Sequence, residues 1–493
     1  MKLMHFIKKN KTLSYAVGLF LFALIIRVLF VNDGLFHADS VNLAIPVEKT
    51  AETLILHPTV VLRYGLVLVN AAFFTPLYYL GLKHADRLIT YTEIVFASLA
   101  VSYLYLFVRR WLKNNYIALS SALLYSVAPI YLSMTTHAKG HGLALFFAFA
   151  ALYYLVLGIE KSSIRYIAVS SLILGSSLFI RETNIVMFLP FGLIFLTHRK
   201  DMDLLKTVWS RLSPRQLAAA CIPALLMIIL VMIFQNQAIF GQVGYASWLG
   251  LFSEKGGLAT GWLLKSLAFG LGAPFILIGL FYYIAKKEFN SWVLLAWFII
   301  PFAYFANVAN VEPRYLLIPM VPLFVLIGIS MNMIYERKKV AGIVLTAILC
   351  IALFATIFPV INYRHNYSGQ KEFALFVKEN TPENAVVYGV DETIFIKYYA
   401  DREIKVPGLK GFRFADKDKI KAEIIDYLEK GRPVYIIGSG LIYDPEGKVF
   451  NMKDDPELRY KLIGVKENDD FHSNAGVSLR VFNESLYRIK LKI

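Results

Sequence analysis

Long apolar runs separated by short polar connections fill the first 360 of the chain's 493 residues. A bilayer core of roughly 30 Å asks for about 20 mostly apolar residues per helix, and a few less inside a bundle. On that measure the pattern predicts about eleven spans, at 13–31, 88–108, 117–135, 142–158, 165–180, 183–197, 216–236, 263–285, 291–308, 315–335 and 340–360. The first follows Lys8, Lys9 and Lys11, as the apolar region of a signal peptide would. No small-residue cleavage site comes after Val31, so it reads as an uncleaved span with its N-terminus inside. Tyr64 to Leu82 is apolar enough to be one more span, but Asn70 and Pro76 interrupt it. Counting it would turn the clusters Arg109, Arg110, Lys113 and Arg199, Lys200 outward, against the tendency of basic loops to stay inside. It reads as an outer segment lying on the membrane surface or dipping into it.

After about Val360 the pattern changes to that of a soluble domain. A helical stretch at Lys371 to Glu379 precedes a β-like run at Ala385 to Gly389 and a helix from Glu392 to Ala400. A charged helix from Lys417 to Lys430 and a short apolar strand from Pro433 to Gly438 follow, with strand-like runs near Lys461 to Val465 and Val477 to Phe482. The alternation predicts a small α/β domain. Gly438, Ser439 and Gly440 after the strand read as a turn, or as a weak phosphate-loop signal. The expected fold is thus a polytopic α-helical membrane protein with a C-terminal extracytoplasmic α/β domain. The division falls into a membrane region 1–360, with a long first outer loop at 32–87, and a tail 361–493.

Composition agrees: 57% of residues are hydrophobic and 17% charged, against roughly 25% charged in soluble domains. The net charge of +16 would suggest nucleic acid in a soluble protein. Sorted by side, the inner loops hold 19 basic residues against five acidic ones, while the tail and outer loops are near neutral. The excess is therefore an orientation signal, and no nucleic-acid partner is expected. Cys221 and Cys350 both lie in apolar runs, which leaves no disulfide framework and no thiolate metal cluster.

The chemistry-bearing residues collect at the outer ends of the spans. The loop after the first span opens Asp33-Gly34-Leu35-Phe36-His37-Ala38-Asp39-Ser40, runs through the amphipathic stretch Val41 to Leu56, and reaches His57 and Pro58. Loops this long are usually functional. A carboxylate at the membrane surface beside aromatic and small residues can take a proton from an attacking hydroxyl, which makes Asp39 the candidate base. The plainer alternative is a solvated acid or a cap for the helix that follows. Arg27, in the last turn of the first span, either snorkels to the interface or pairs with a carboxylate such as Asp39. Three short connections add His137, Lys139 and His141; Arg181, Glu182, Thr183 and Asn184; and Asn310, Glu312, Arg314 and Tyr315. Each cation alone reads as a snorkelling anchor. Together, Lys139, Arg181 and Arg314 suit an anionic phosphate at headgroup level. His137 and His141, spaced i, i+4, could ligate a divalent metal with Glu182 or Glu312.

These pieces resemble the GT-C superfamily of membrane glycosyltransferases that use polyprenyl-phosphate-linked sugars, closest to the branch of protein O-mannosyltransferases and the lipid A aminoarabinose transferase. The likeness runs over about residues 13–335. LIIRVLFVNDGLFHADSVNLA, Leu24 to Ala44, is similar to the family's first-span arginine and acidic loop. Asp39 falls on the position of the catalytic base, and Ser40 replaces a common second acid. His57 and Pro58 lie where the family often has a lysine or histidine before proline, a position tied to the donor phosphate. SVAPIYLSMTTHAKGHGLALFFAFAALYYL is similar to the third and fourth spans, with Lys139 on a usual arginine and His141 where relatives often carry an acid or a tyrosine. That departure puts a second catalytic carboxylate in doubt. Arg181 matches a basic residue after the fifth span. EPRYLLIPMVPLFVLIG looks like the family's RY-and-proline motif, with Arg314 and Tyr315 on it.

The resemblance implies an inverting glycosyltransferase at the outer face of a prokaryotic cytoplasmic membrane, moving a sugar from a polyprenyl-phosphate donor to a hydroxyl on protein, lipid or glycan. Asp39 would be the base; Lys139, Arg181 and Arg314, with Tyr315 beside them and His57 or Arg63 in addition, would hold the donor phosphate. No tightly bound cofactor is expected beyond the lipid-linked donor, and a divalent metal stays open. Two other readings remain. A non-enzymatic lipid or glycan transporter or flippase would show ionisable groups at mid-span or related halves. A ligase or polymerase would take its glycan from a lipid diphosphate.

Overall fold

The computed structural model describes residues 11–57, 59, 63–197, 213–245, 273–285, 290–306, 313–366, 368–389, 393–405, 417–438, 442–443, 450–451, 458–467 and 483–491. The chain divides into two compact units. The first comprises Met1–Val31 and Pro46–Asn362, the second Asn32–Ile45 and Tyr363–Ile493.

The membrane unit is built of helices: α1 (Lys11–Leu29), α2 (Ala38–Thr53, shared with the second unit), α3 (Tyr64–Tyr79), α4 (Asp86–Leu112), α5 (Asn115–Val127), α6 (Pro129–Thr135), α7 (His141–Glu160) and α8 (Ile164–Ile180). After a 3-10 turn at Glu182–Met187 come α9 (Phe188–Thr197), α10 (Pro214–Tyr245), α11 (Ala273–Ala285) and α12 (Asn290–Ala306). A second 3-10 turn, Pro313–Leu317, leads into α13 (Met320–Arg337) and α14 (Lys339–Asn366). Every one of the eleven apolar runs carries a helix over all or part of its length. Among the described residues six helices are long and apolar enough to cross a membrane, or seven if the bent pair α5–α6 counts as one. The run 64–82 forms the 16-residue helix α3, which is shorter than that measure.

The bend was not visible as a break in hydropathy. α5 and α6 meet at 59° because Pro129 has no N–H to donate to the preceding turn. The carbonyl of Ser126 that the break exposes is taken by Arg27, whose Nη2 donates to it at 3.2 Å while Nε donates to Thr135 Oγ1 at 2.9 Å. The guanidinium also lies 4.7 Å over the Tyr131 ring. Arg27 is fully buried, so it does not snorkel; it satisfies the carbonyl at a helix break.

Helix pairs approach closely where side chains are small, as expected where apolar burial alone does not drive association. At Gly142 a Cβ would lie 2.6 Å from the Ala97 methyl, so only glycine lets α7 pack this near α4. Serines and tyrosines bond across helices to backbone carbonyls: Ser170 to Ala151 and Ser171 to Ala220 at 2.6 Å, Tyr131 to Ala97 at 2.7 Å. Tyr105, Phe107, Tyr125, Phe149, Trp297 and Phe324 fill the interior. The outer faces of α1 and α14 carry exposed Ile25, Leu29, Ile343 and Ile351, a surface suited to lipid.

In the second unit α15 (Gly369–Asn380), β1 (Val386–Tyr388), a turn at Thr393–Phe395, a π turn at Ile396–Ala400 and β2 (Glu403–Lys405) precede α16 (Lys417–Glu429), β3 (Val434–Ile437), β4 (Ile442–Tyr443), β5 (Phe450–Asn451), β6 (Leu458–Glu467) and β7 (Asn483–Leu491). The main sheet has the order β2-β1-β3-β7-β6. β1 is parallel to β2 and β3, while β7 is antiparallel to β3 and β6, so the sheet is mixed. Val386, Val434, Ile436 and Ile489 meet Ile420 and Ile424 of α16 in its core. The last strand lies at Asn483–Leu491, beyond the expected run Val477 to Phe482, which falls outside the described residues. Ser439 and Gly440 fall outside them as well.

Candidate functional site

Arg181 leaves the end of α8 as extended chain, and Glu182 opens the 3-10 turn. Arg181 is buried, and its Nη1 donates to the Lys139 carbonyl at 3.1 Å, which ties the connection before α7 to the connection after α8. Asn184 donates to the Ala144 carbonyl at 2.9 Å and secures the same turn to α7. A pocket opens here, lined by His141, Arg181, Thr183, Asn184, Arg314 and Tyr315, with Ala144, Leu145, Phe305, Leu317 and Ile318 supplying its apolar wall. Tyr315 stacks on Phe305 at 5.1 Å, and the Arg314 guanidinium stands 5.6 Å over the Tyr315 ring. Three of the predicted connections therefore converge within the membrane unit.

The electrostatics follow from burial. Arg63 Nε and Nη2 donate to the two Glu182 carboxylate oxygens at 3.0 and 2.7 Å, a bidentate pair with both side chains about nine-tenths covered. Burial alone would raise the Glu182 pKa, but the Arg63 guanidinium overrides it and holds the carboxyl at about 2. For Arg181 burial lowers the pKa, and the charges of Arg63 and Arg314 lower it further. An arginine nevertheless stays protonated at neutral pH. Arg63 and Arg181 thus both act on the Glu182 carboxylate, and Arg314 acts on Arg181.

The remaining candidates lie as follows. Lys139 is buried and His137 and His141 are buried beside it in sequence. His57 bonds within its own stretch, its N–H to Thr50 Oγ1 at 3.0 Å and its Nε2 to Thr53 Oγ1 at 3.1 Å. Pro58, Asn310 and Glu312 are outside the described residues. Asp39 belongs to the second unit, inside the first turn of α2 and not at its cap. It is partly exposed, and its N–H donates to His37 Nδ1 at 3.1 Å while its carboxylate lies 3.6 Å from the same nitrogen. A carboxylate there is favoured by the helix N-terminus. Of the two acids expected to join His137 and His141 on a metal, Glu182 has both oxygens taken by Arg63 and Glu312 is outside the described residues; among the described residues no group of three potential ligands gathers.

Residues 70–234 match the family described as "Dolichyl-phosphate-mannose-protein mannosyltransferase". The chain is similar over 87% of its length to the crystal structure of ArnT from Cupriavidus metallidurans bound to undecaprenyl phosphate, covering 93% of that chain at TM-score 0.59 and 13% identity. It is similar to the archaeal oligosaccharyltransferase AglB from Archaeoglobus fulgidus, in complex with an inhibitory peptide and a dolichol-phosphate, over 87% of this chain and 69% of that one, at TM-score 0.57 and 13% identity. The chain has an ArnT-like fold. The arabinofuranosyltransferase AftD from Mycobacteria shares the fold at TM-score 0.52 and 12% identity, over 95% of this chain and 39% of that one. No curated protein matches the sequence.

One residue near the pocket escaped the sequence reading. Glu93, buried within α4, accepts the Gly142 N–H at 2.5 Å and caps the start of α7, the helix whose first residue lines the pocket. A helix N-terminus presents unpaired N–H groups, and Glu93 supplies an acceptor from a neighbouring helix in place of a local cap. The signal was there as an isolated acid in an otherwise apolar span.

Proposed function

We propose that the chain is an inverting glycosyltransferase that moves a sugar from a polyprenyl-monophosphate donor to a hydroxyl acceptor at the outer face of a prokaryotic cytoplasmic membrane. The observation that carries this reading is the basic pocket lined by Arg181 and Arg314 in a chain of GT-C fold. ArnT, bound to undecaprenyl phosphate, supports a lipid phosphate as that anion. In the step proposed, the acceptor oxygen attacks the anomeric carbon and the bond from that carbon to the phosphate oxygen breaks. The acceptor proton passes to Asp39, and the polyprenyl phosphate leaves with the bonding electrons. Lys139, Arg181 and Arg314 hold the leaving phosphate with Tyr315 beside them, His57 adds a contact, and Arg63 acts through its charge. General-base catalysis of this kind contributes typically about 10² to 10⁴ in rate, and fixed positive charge adds to it.

The topology that goes with this reading has about eleven spans, the N-terminus inside and the tail 361–493 outside, where it helps to choose the acceptor. The basic inner loops support that orientation. The test is to incubate purified protein with a panel of radiolabelled polyprenyl-monophosphate and polyprenyl-diphosphate sugars, with and without chelator. Consumption of a monophosphate donor that persists in chelator is expected. Consumption of diphosphate donors alone would move the chain to the ligase reading, and transport without donor cleavage would move it to the flippase reading.

A further inference from the structure

Residues 33–36, just ahead of Asp39, are held at successive positions by the tail. Asp33 pairs with Lys371 Nζ of α15 at 2.9 Å. The Leu35 N–H donates to Tyr399 Oη at 2.8 Å, and Leu35 itself is buried. The Arg364 guanidinium lies 4.7 Å over the Phe36 ring. Gly34 has φ +91°, and a Cβ there would come within 2.7 Å of Lys371 Cδ and 3.0 Å of Tyr399 Oη. Tyr399 sits in the π turn Ile396–Ala400, a local irregularity of a kind that is frequent at functional sites.

We infer that Tyr399 and Lys371 are positioning residues that fix the segment 32–45, and through it the Asp39 carboxylate, in the register needed for proton transfer. The inference rests on the reading of Asp39 as base and gives the tail a part in turnover besides acceptor choice. The physical need is plain: Asp39 is partly exposed and sits at the start of a helix, so its placement depends on how the preceding residues are tied. The Leu35 N–H is buried, and Tyr399 Oη is its acceptor; without that oxygen the turn must shift to find another. Misplacement of a catalytic group by about 1 Å costs on the order of 10²-fold in rate.

The experiment uses the full chain in lipid nanodiscs. Tyr399→Phe is expected to raise hydrogen exchange at residues 33–37 and to lower kcat about ten- to a hundredfold, with the KM for a polyprenyl-monophosphate sugar nearly unchanged. Lys371→Met should lower kcat in the same way, and Lys371→Arg, which keeps the charge, should recover most of the loss. Unchanged exchange at 33–37 in Tyr399→Phe, or raised exchange with wild-type kcat, overturns the inference. Asp39→Asn run beside it separates the two failures. Full activity of that variant overturns the base assignment and the positioning role together, whereas an inactive Asp39→Asn with a fully active Tyr399→Phe overturns the positioning role alone.

Discussion

Arg27 and Glu93 place ionisable side chains in the interior of the membrane unit, and each answers a backbone need. Arg27 supplies a donor to the Ser126 carbonyl freed at Pro129, and Glu93 supplies an acceptor to the N–H groups that open α7. Arg27→Met leaves that carbonyl without its donor and should cost about 1–3 kcal/mol, read as a lower thermal midpoint in detergent. Glu93→Leu removes the cap and should lower the midpoint by the equivalent of about 0.5–2 kcal/mol. Arg181→Met and Arg314→Met remove positive charge from the pocket, and each should weaken use of a lipid-phosphate donor by about tenfold or more in kcat/KM while the protein still folds; unchanged kinetics in both would remove the phosphate role. The convergence of the connections bearing Lys139, Arg181 and Arg314 was legible from the sequence because polar groups gathered at the ends of apolar runs. Glu93 was not, because one acid inside a span looks the same whether it faces a helix end or a cavity.

The helices were legible as apolar runs, since a bilayer fixes their length and leaves little else to choose. Their breaks were not. Hydropathy stays high through Tyr125 to Leu132, and only the missing N–H of Pro129 turns the run into α5 and α6. Spacing between helices is likewise a matter of single atoms, as at Gly142 against Ala97. Gly142→Val should force α7 away from α4 and lower the thermal midpoint, whereas Gly18→Val on α1, where nothing lies within 4 Å of the added carbon, should leave it nearly unchanged. In the tail, alternation and apolar runs marked the helices and β3. β7 lies at Asn483–Leu491, where Leu486, Tyr487, Arg488 and Ile489 pair with β3 on one edge and β6 on the other, and that sheet context is not local to the sequence.

At the scale of the whole molecule, the proposed orientation rests on charge asymmetry between the loops. Cysteines placed at Lys113 or Lys161 should resist membrane-impermeant thiol reagents in intact cells, while one at Lys430 should react; the reverse pattern would invert the proposed topology. The division into two units assigns Asp39 to one and the basic pocket to the other, a partition that the linear order of motifs did not reveal. The proposed step calls on a base for the acceptor hydroxyl and a cradle for the departing phosphate. The most direct measurement is therefore the release of polyprenyl phosphate from a radiolabelled polyprenyl-monophosphate sugar by wild-type protein and Asp39→Asn at equal expression. Release by the wild type with a loss of at least about 10²-fold in the variant is the predicted result. Equal release by both, or no release from a monophosphate donor under any acceptor condition while a diphosphate donor is consumed, would contradict it.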